Sequence, residues 1–97
     1  MLYYGDKAIT LINLIATTMA QVIIYSTTTC VYCNAAKVFF KEKGIEYTEY
    51  NVGADAEKRK EMIEKSGQMG VPVIAIDGQL VVGFNQPKIK QLLGINY

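Results

Sequence analysis

Histidine is absent from this 97-residue chain, and cysteine and proline occur only twice each. Without imidazole there is no Ser-His-Asp triad, no cysteine–histidine nucleophile pair and no zinc site built on histidine. Two cysteines are too few for a disulfide-rich secreted scaffold. They are also too close to act as a staple. A bridge between Cys30 and Cys33 closes a loop worth about 2 kcal/mol on the chain-entropy model, against more than about 4 for one spanning most of the chain. No apolar run reaches the roughly 18 residues of a membrane span. Neither sign of charge dominates: 10 Lys and Arg face 9 Asp and Glu, interleaved, for a net charge of +1. There is thus no basic stripe for nucleic acid or an acidic membrane. What is present fits one small soluble domain, 51% hydrophobic and 20% charged.

The pattern along the chain is β-α-β-α-β-β-α. Gln21 to Ser26 reads as a short β-branched buried strand, broken by Thr27-Thr28-Thr29. Helical spacing starts at Val31, with Ala35, Val38 and Phe39 as an apolar stripe, Phe40 beside it, and Lys37, Lys41 and Glu42 toward water. Gly44 suits the position after that helix. Ile45 to Val52 has strand composition. Asp55 caps a second helix over Ala56 to Lys65, with Met62 and Ile63 inward and Gly67 at its end. Val71 to Ile76 is a third strand, and Asp77-Gly78 a two-residue hairpin turn into Gln79 to Val82. Asn85 caps a last helix with Pro87 in its first turn and Gly94 after it. These elements predict a four-stranded mixed sheet, its first two strands parallel and its last two antiparallel, flanked by helices.

Residues 1–20 stand outside this scheme as an N-terminal extension to a domain spanning 21–97. Ala8, Leu11, Ile12, Ile15, Ala16 and Met19 share one helical face, with Asp6 as a cap. Three readings stand side by side: a start upstream of a functional Met19, an extra helix packed on the domain, or a secretory signal with Lys7 as its only positive charge.

The chemistry rests on Cys30 and Cys33. A dithiol exchanges with a disulfide in two steps: one thiolate attacks, and the second thiol resolves the mixed disulfide. C-x-x-C at a helix start suits both, because the turn brings the sulfurs together and the free N–H groups of the first turn favour the thiolate of the first. An ordinary thiol, pKa about 8.5, is only about 3% ionised at pH 7. Making it mostly thiolate takes about 3 kcal/mol, whereas a helix dipole typically supplies about 0.3–1. Direct hydrogen bonds to the sulfur must carry the rest. Cys30 is therefore the expected nucleophile and Cys33 the resolving thiol. Other readings are a pair of inert buried thiols, or a dimer in which two chains supply four sulfurs for zinc or an iron–sulfur cluster. One chain alone offers too few ligands for zinc.

"CVYC" at Cys30 to Cys33, "GVPVIAIDG" at Gly70 to Gly78 and "VGFNQPKIKQLLG" at Val82 to Gly94 together resemble a small dithiol glutaredoxin or glutaredoxin-like redoxin of the thioredoxin superfamily. The likeness runs from residue 21 to 95. It implies a thioredoxin-like α/β fold, Cys30 as the attacking thiol, and a cis Val71–Pro72 bond facing the cysteines. An extended cysteine peptide would then pair with Val71 as an added strand; the alternative is an edge-strand proline without a role.

The departures bear on the electron donor. Relatives that use glutathione often carry a basic residue shortly before the first cysteine, where this chain has Ser26 to Thr29. They also tend to have Gly-Gly-x-Asp where this chain has Val82-Gly83-Phe84-Asn85. Lys37 is a distant substitute cation, Asn85 can still hydrogen-bond, and the last helix can favour a carboxylate. Gly83-Phe84-Asn85 is more similar to redoxins of which some are reduced by thioredoxin reductase. Phe84 then either adds an apolar patch beside the cysteines or packs into the core. Tyr32 either covers a bound peptide or borders the site, and Val31 stands where many relatives have proline.

The resemblance thus implies a cytoplasmic, monomeric thiol–disulfide oxidoreductase acting in electron transport and cell redox homeostasis. Its expected catalytic residues are Cys30 and Cys33, and its substrate-binding residues Tyr32, Val71, Pro72, Gly83, Phe84 and Asn85. It implies no metal, no tightly bound cofactor and glutathione as a candidate co-substrate. Its partners would be disulfide-containing proteins, with glutathione or thioredoxin reductase as donor.

Overall fold

The computed structural model describes residues 20–96; the expectations for residues 1–19 lie outside them. The described chain runs β1 (Val22–Ser26), α1 (Val31–Glu42), β2 (Thr48–Asn51), α2 (Ala56–Ser66), β3 (Val73–Ile76), β4 (Gln79–Val82) and α3 (Gln86–Leu93). The four strands form one sheet in the order β2-β1-β3-β4. β1 and β2 are parallel, while β3 is antiparallel to both β1 and β4. Among the described residues no helix is long and apolar enough to cross a membrane.

Local chemistry sets the boundaries. Asp55 accepts the Lys58 N–H and Asn85 that of Lys88, each as the N-cap of its helix, and Gly67 and Gly94 end those helices in the left-handed region. Asp77 and Gly78 both have positive φ, 49° and 85°, as a tight hairpin turn demands. Three strands are shorter than the sequence suggests: β1 begins at Val22, β2 covers only Thr48–Asn51, and β3 starts at Val73. Pro72 has no N–H to give a ladder, so β3 begins after it.

The alternation of side chains divides the core. Val22, Ile24, Ile74, Ile76 and Val81 meet Ala36, Phe39 and Phe40 of α1 and Ile89 of α3. On the other face Tyr25 and Val73 meet Val52 and Met62, the last from α2. The inward stripe of α1 is Cys33, Ala36, Phe39 and Phe40; Phe39 and Phe40 lie inward as expected, but Cys33 and Ala36 replace Ala35 and Val38. Val38 is 53% exposed. The stripe starts at Cys33, one turn after the cap, so positions i+3 and i+7 of that cysteine face the sheet.

Candidate active site

Sheet register brings the conspicuous sequence motifs to one end. Tyr25 of β1 lies opposite Val73 of β3, and Val73 opposite Val82 of β4. The chain therefore leaves β1 toward Cys30, enters β3 from Val71–Pro72 and leaves β4 toward Asn85, all at the same edge. The Gly83 N–H donates to the Pro72 carbonyl at 2.8 Å and fastens two of these segments together. The Val71–Pro72 bond is cis, as the resemblance implies.

Cys30 is the N-cap of α1. Its backbone is extended, and its Sγ accepts the Cys33 N–H at 3.1 Å. One donor that the helix end leaves unpaired is thus spent on the sulfur. The two cysteines form a disulfide with their Cα atoms 5.2 Å apart. Their environments differ: Cys33 is fully buried against the sheet, whereas Cys30 is partly exposed. One residue keeps surface open to solvent and the other has none.

The other expected residues divide. Tyr32 is 67% exposed on the first turn of α1. Val71 is half-buried, and among the described residues no hydrogen bond outside the helices and strands uses its backbone. Gly83 has φ 86°, a conformation in which a side chain would be strained. Asn85 spends its side-chain oxygen on the Lys88 N–H at 3.3 Å. Phe84 packs on the core, its ring edge-to-face with Phe39 at 5.7 Å between centroids.

Lys37 is not a free cation facing water. Its ammonium donates to Glu49 Oε2 at 2.7 Å, and the same oxygen accepts the buried Ser26 hydroxyl at 2.6 Å. These two hydrogen bonds, that of Lys37 first, hold the Glu49 carboxyl below its ordinary range. This cluster escapes sequence reading because its members lie on three elements. A second feature it misses is the Gln68 side chain. Its amide oxygen accepts the Gly70 N–H at 2.7 Å and its nitrogen donates to the Gly70 carbonyl at 3.1 Å, so it holds the segment just before Val71. The only sequence signal was an amide two residues ahead of a glycine. Among the described residues no group of three or more His, Cys, Asp or Glu is placed to hold a metal.

Comparison with known proteins agrees with this geometry. A family model described as glutaredoxin matches residues 22–81. An uncharacterised glutaredoxin-like 8.6 kDa protein of a Clostridium pasteurianum rubredoxin operon is 47% identical over 70 residues, spanning 72% of this chain and 93% of the relative. A mutant of a thioredoxin-like protein superposes with a TM-score of 0.74 at 32% identity, over 77% of this chain and 96% of its own. The NrdH-redoxin of Escherichia coli, a glutaredoxin-like protein with a thioredoxin-like activity profile, superposes with a TM-score of 0.66 at 26% identity, over 74% and 93%. With its thioredoxin-like fold and its C-x-x-C pair at a helix start, the chain belongs to the glutaredoxin family of thiol–disulfide oxidoreductases.

Proposed function

We propose that this protein reduces protein disulfides or mixed disulfides, with Cys30 attacking and Cys33 resolving. The observation that carries the reading is the asymmetry at α1: a partly exposed cysteine whose sulfur receives the Cys33 N–H, and a fully buried one beside it. In the first step the Cys30 thiolate attacks one substrate sulfur. The substrate S–S bond breaks and the other sulfur leaves as a thiolate that takes a proton from water. In the second step Cys33 loses its proton and attacks Cys30 Sγ, and the remaining substrate thiolate departs. Two electrons have passed to the substrate, and the chain carries the Cys30–Cys33 disulfide. The unpaired backbone of Val71 supports its role as the edge on which an extended substrate segment aligns.

Thioredoxin reductase is the donor that the site favours over glutathione. Lys37 is already paired with Glu49, and Asn85 is engaged as a cap. Lys37 is thus not free for a carboxylate of glutathione, and Asn85 keeps only its side-chain NH2 to donate to one. The thioredoxin-like activity profile of the E. coli redoxin points the same way.

Replacing Cys33 with Ser is expected to trap a substrate mixed disulfide on Cys30, visible by mass; Cys30→Ser is expected to abolish turnover. Full activity in Cys30→Ser would end this reading. A coupled NADPH assay, run once with thioredoxin reductase and once with glutathione and its reductase, separates the donors. Turnover only in the glutathione arm would overturn the donor assignment.

A further inference from the structure

The face of the sheet away from α1 and α3 is only partly covered. Ile23, Ala75 and Leu80 stand opposite one another across β1, β3 and β4 and share that face. α2 packs beside them, its Met62 on Tyr25 and Val73. The row itself lines an open groove of about 450 Å³, with Gln21, Lys65 and Gly78 as its other walls. Ile23 and Leu80 are only half-buried.

A small polar ligand has little to hold it there. Lys65, the one charged residue in the wall, already meets Glu61 Oε2 at 3.5 Å and donates to the Tyr25 hydroxyl at 3.5 Å. Apart from Gln21 and Gly78 the remaining lining is aliphatic. An apolar occupant would gain by taking that surface out of water, whereas an ionised one would lose hydration without a free counter-charge.

The chain enters the domain at the mouth of this groove. The Gln21 N–H donates to Asp77 Oδ1 at 2.9 Å, and the Asp77 N–H donates to the Gln21 carbonyl at 2.9 Å. This pair clamps the entry to β1 onto the hairpin that carries Gly78. Whatever precedes Gln21 therefore starts beside the groove. In sequence, what precedes it is uncharged and patterned: residues 8–20 contain no Asp, Glu, Lys or Arg, and Ala8, Leu11, Ile12, Ile15 and Ala16 fall on one helical face. The other face of the sheet is already occupied by α1 and α3, with Ala20 resting on that core.

We propose that residues 8–16 form a helix that covers this groove, with Leu11, Ile12 and Ile15 against Ile23, Ala75 and Leu80, and with Thr17 to Ala20 as the connection. That connection falls within the roughly 2–6 residues usual between a helix and a strand. A helix over 8–16 is about 14 Å long, and a row across three strands spans about 10 Å. So short a helix is unstable alone in water, which makes its formation and its docking one event. The tether at Gln21 gives the segment a local concentration on the order of millimolar, against which any free partner must compete. The docking is independent of the chemistry at Cys30, because the groove lies at the hairpin end of the sheet.

The test is solution NMR on the full 97-residue chain with labelled Ile, Leu and Ala methyl groups. Nuclear Overhauser contacts are expected from the Leu11, Ile12 and Ile15 methyls to those of Ile23, Ala75 and Leu80, together with slowed amide exchange over residues 8–16. A sample mixed from labelled and unlabelled chains should show that these contacts arise within one chain. The double variant Ile12→Asn with Ile15→Asn should abolish them, release the amide protection and shift the Ile23 and Leu80 methyl resonances. Contacts of Met62 with Tyr25 should survive, showing that the domain is still folded. No contacts in the wild type, with residues 8–16 exchanging freely, would overturn the proposal. Contacts made only between chains would overturn it in favour of a second copy as the occupant, and contacts to α1 or α3 would overturn it by placing the segment on the other face.

Discussion

The Ser26 hydroxyl, fully buried at the end of β1, donates to Glu49 Oε2 on the neighbouring strand at 2.6 Å. Lys37 of α1 closes on the same oxygen. A polar cluster therefore pins the helix that carries both cysteines to the first two strands. Its energetic weight lies in the buried hydroxyl rather than in the ion pair, which is partly solvated on both sides.

Glu49→Ala leaves that hydroxyl without its acceptor, and unfolding in urea is expected to show a loss of about 1–3 kcal/mol. Adding Ser26→Ala should recover part of it. The dependence on pH follows from the lowered Glu49 pKa, caused first by Lys37 and then by Ser26. A carboxyl depressed in the folded state stabilises above its ordinary value of about 4.5 and loses that contribution as pH falls through the folded value. The stability gap between wild type and Glu49→Gln should therefore narrow from neutral pH into the acid range below about 4. A gap independent of pH would show that the charge contributes nothing.

Burial predicts the order in which the reduced cysteines are labelled. Cys33 has no accessible surface, while Cys30 is partly open. Limited iodoacetamide should give a single adduct, and peptide mapping should place it on Cys30. Equal labelling of both sulfurs would contradict the asymmetry on which the two-step exchange depends.

Much of this was legible in the sequence because the signals were local. Asp77-Gly78 specified its turn, Asp55 and Asn85 their caps, and Gly67 and Gly94 their helix ends, each through one residue's own chemistry. The C-x-x-C spacing located the site for the same reason. Part of the inward face of α1 was misread because Ala35 and Val38 fit an apolar period with Phe39 as well as Cys33 and Ala36 do. Only packing against the sheet distinguishes them. The Ser26–Glu49–Lys37 cluster is a product of strand register and helix packing, which bring together residues far apart in the chain. No window of sequence contains them.

Phe84 offers a choice between packing and docking that kinetics can settle. Its ring lies edge-to-face with Phe39 and on the core shared by α1 and α3. Phe84→Ala should lower stability by about 1–3 kcal/mol, combining a part-buried cavity with a lost aromatic pair. The single-turnover rate with a small disulfide should not change. Unaltered stability with slower reaction of a protein disulfide would reassign the ring to substrate binding.

On the opposite face, the Tyr25 hydroxyl donates to Glu61 Oε2 at 2.5 Å, and Lys58 and Lys65 hold the same carboxylate. Burial first, and the bond to Glu61 second, push the Tyr25 phenol up to about 12. Ultraviolet titration should find a tyrosine ionising near pH 12, and Tyr25→Phe should delete that step. Because the folded value lies above the unfolded value of about 10, the contribution to stability is complete below about pH 10 and disappears toward about pH 12. The advantage of wild type over Tyr25→Phe, about 1.5–3 kcal/mol for one hydrogen bond to a charged acceptor, should close across that window. A constant advantage would mean that the phenol ionises equally readily in folded and unfolded chains, and that the hydroxyl does not link β1 to α2.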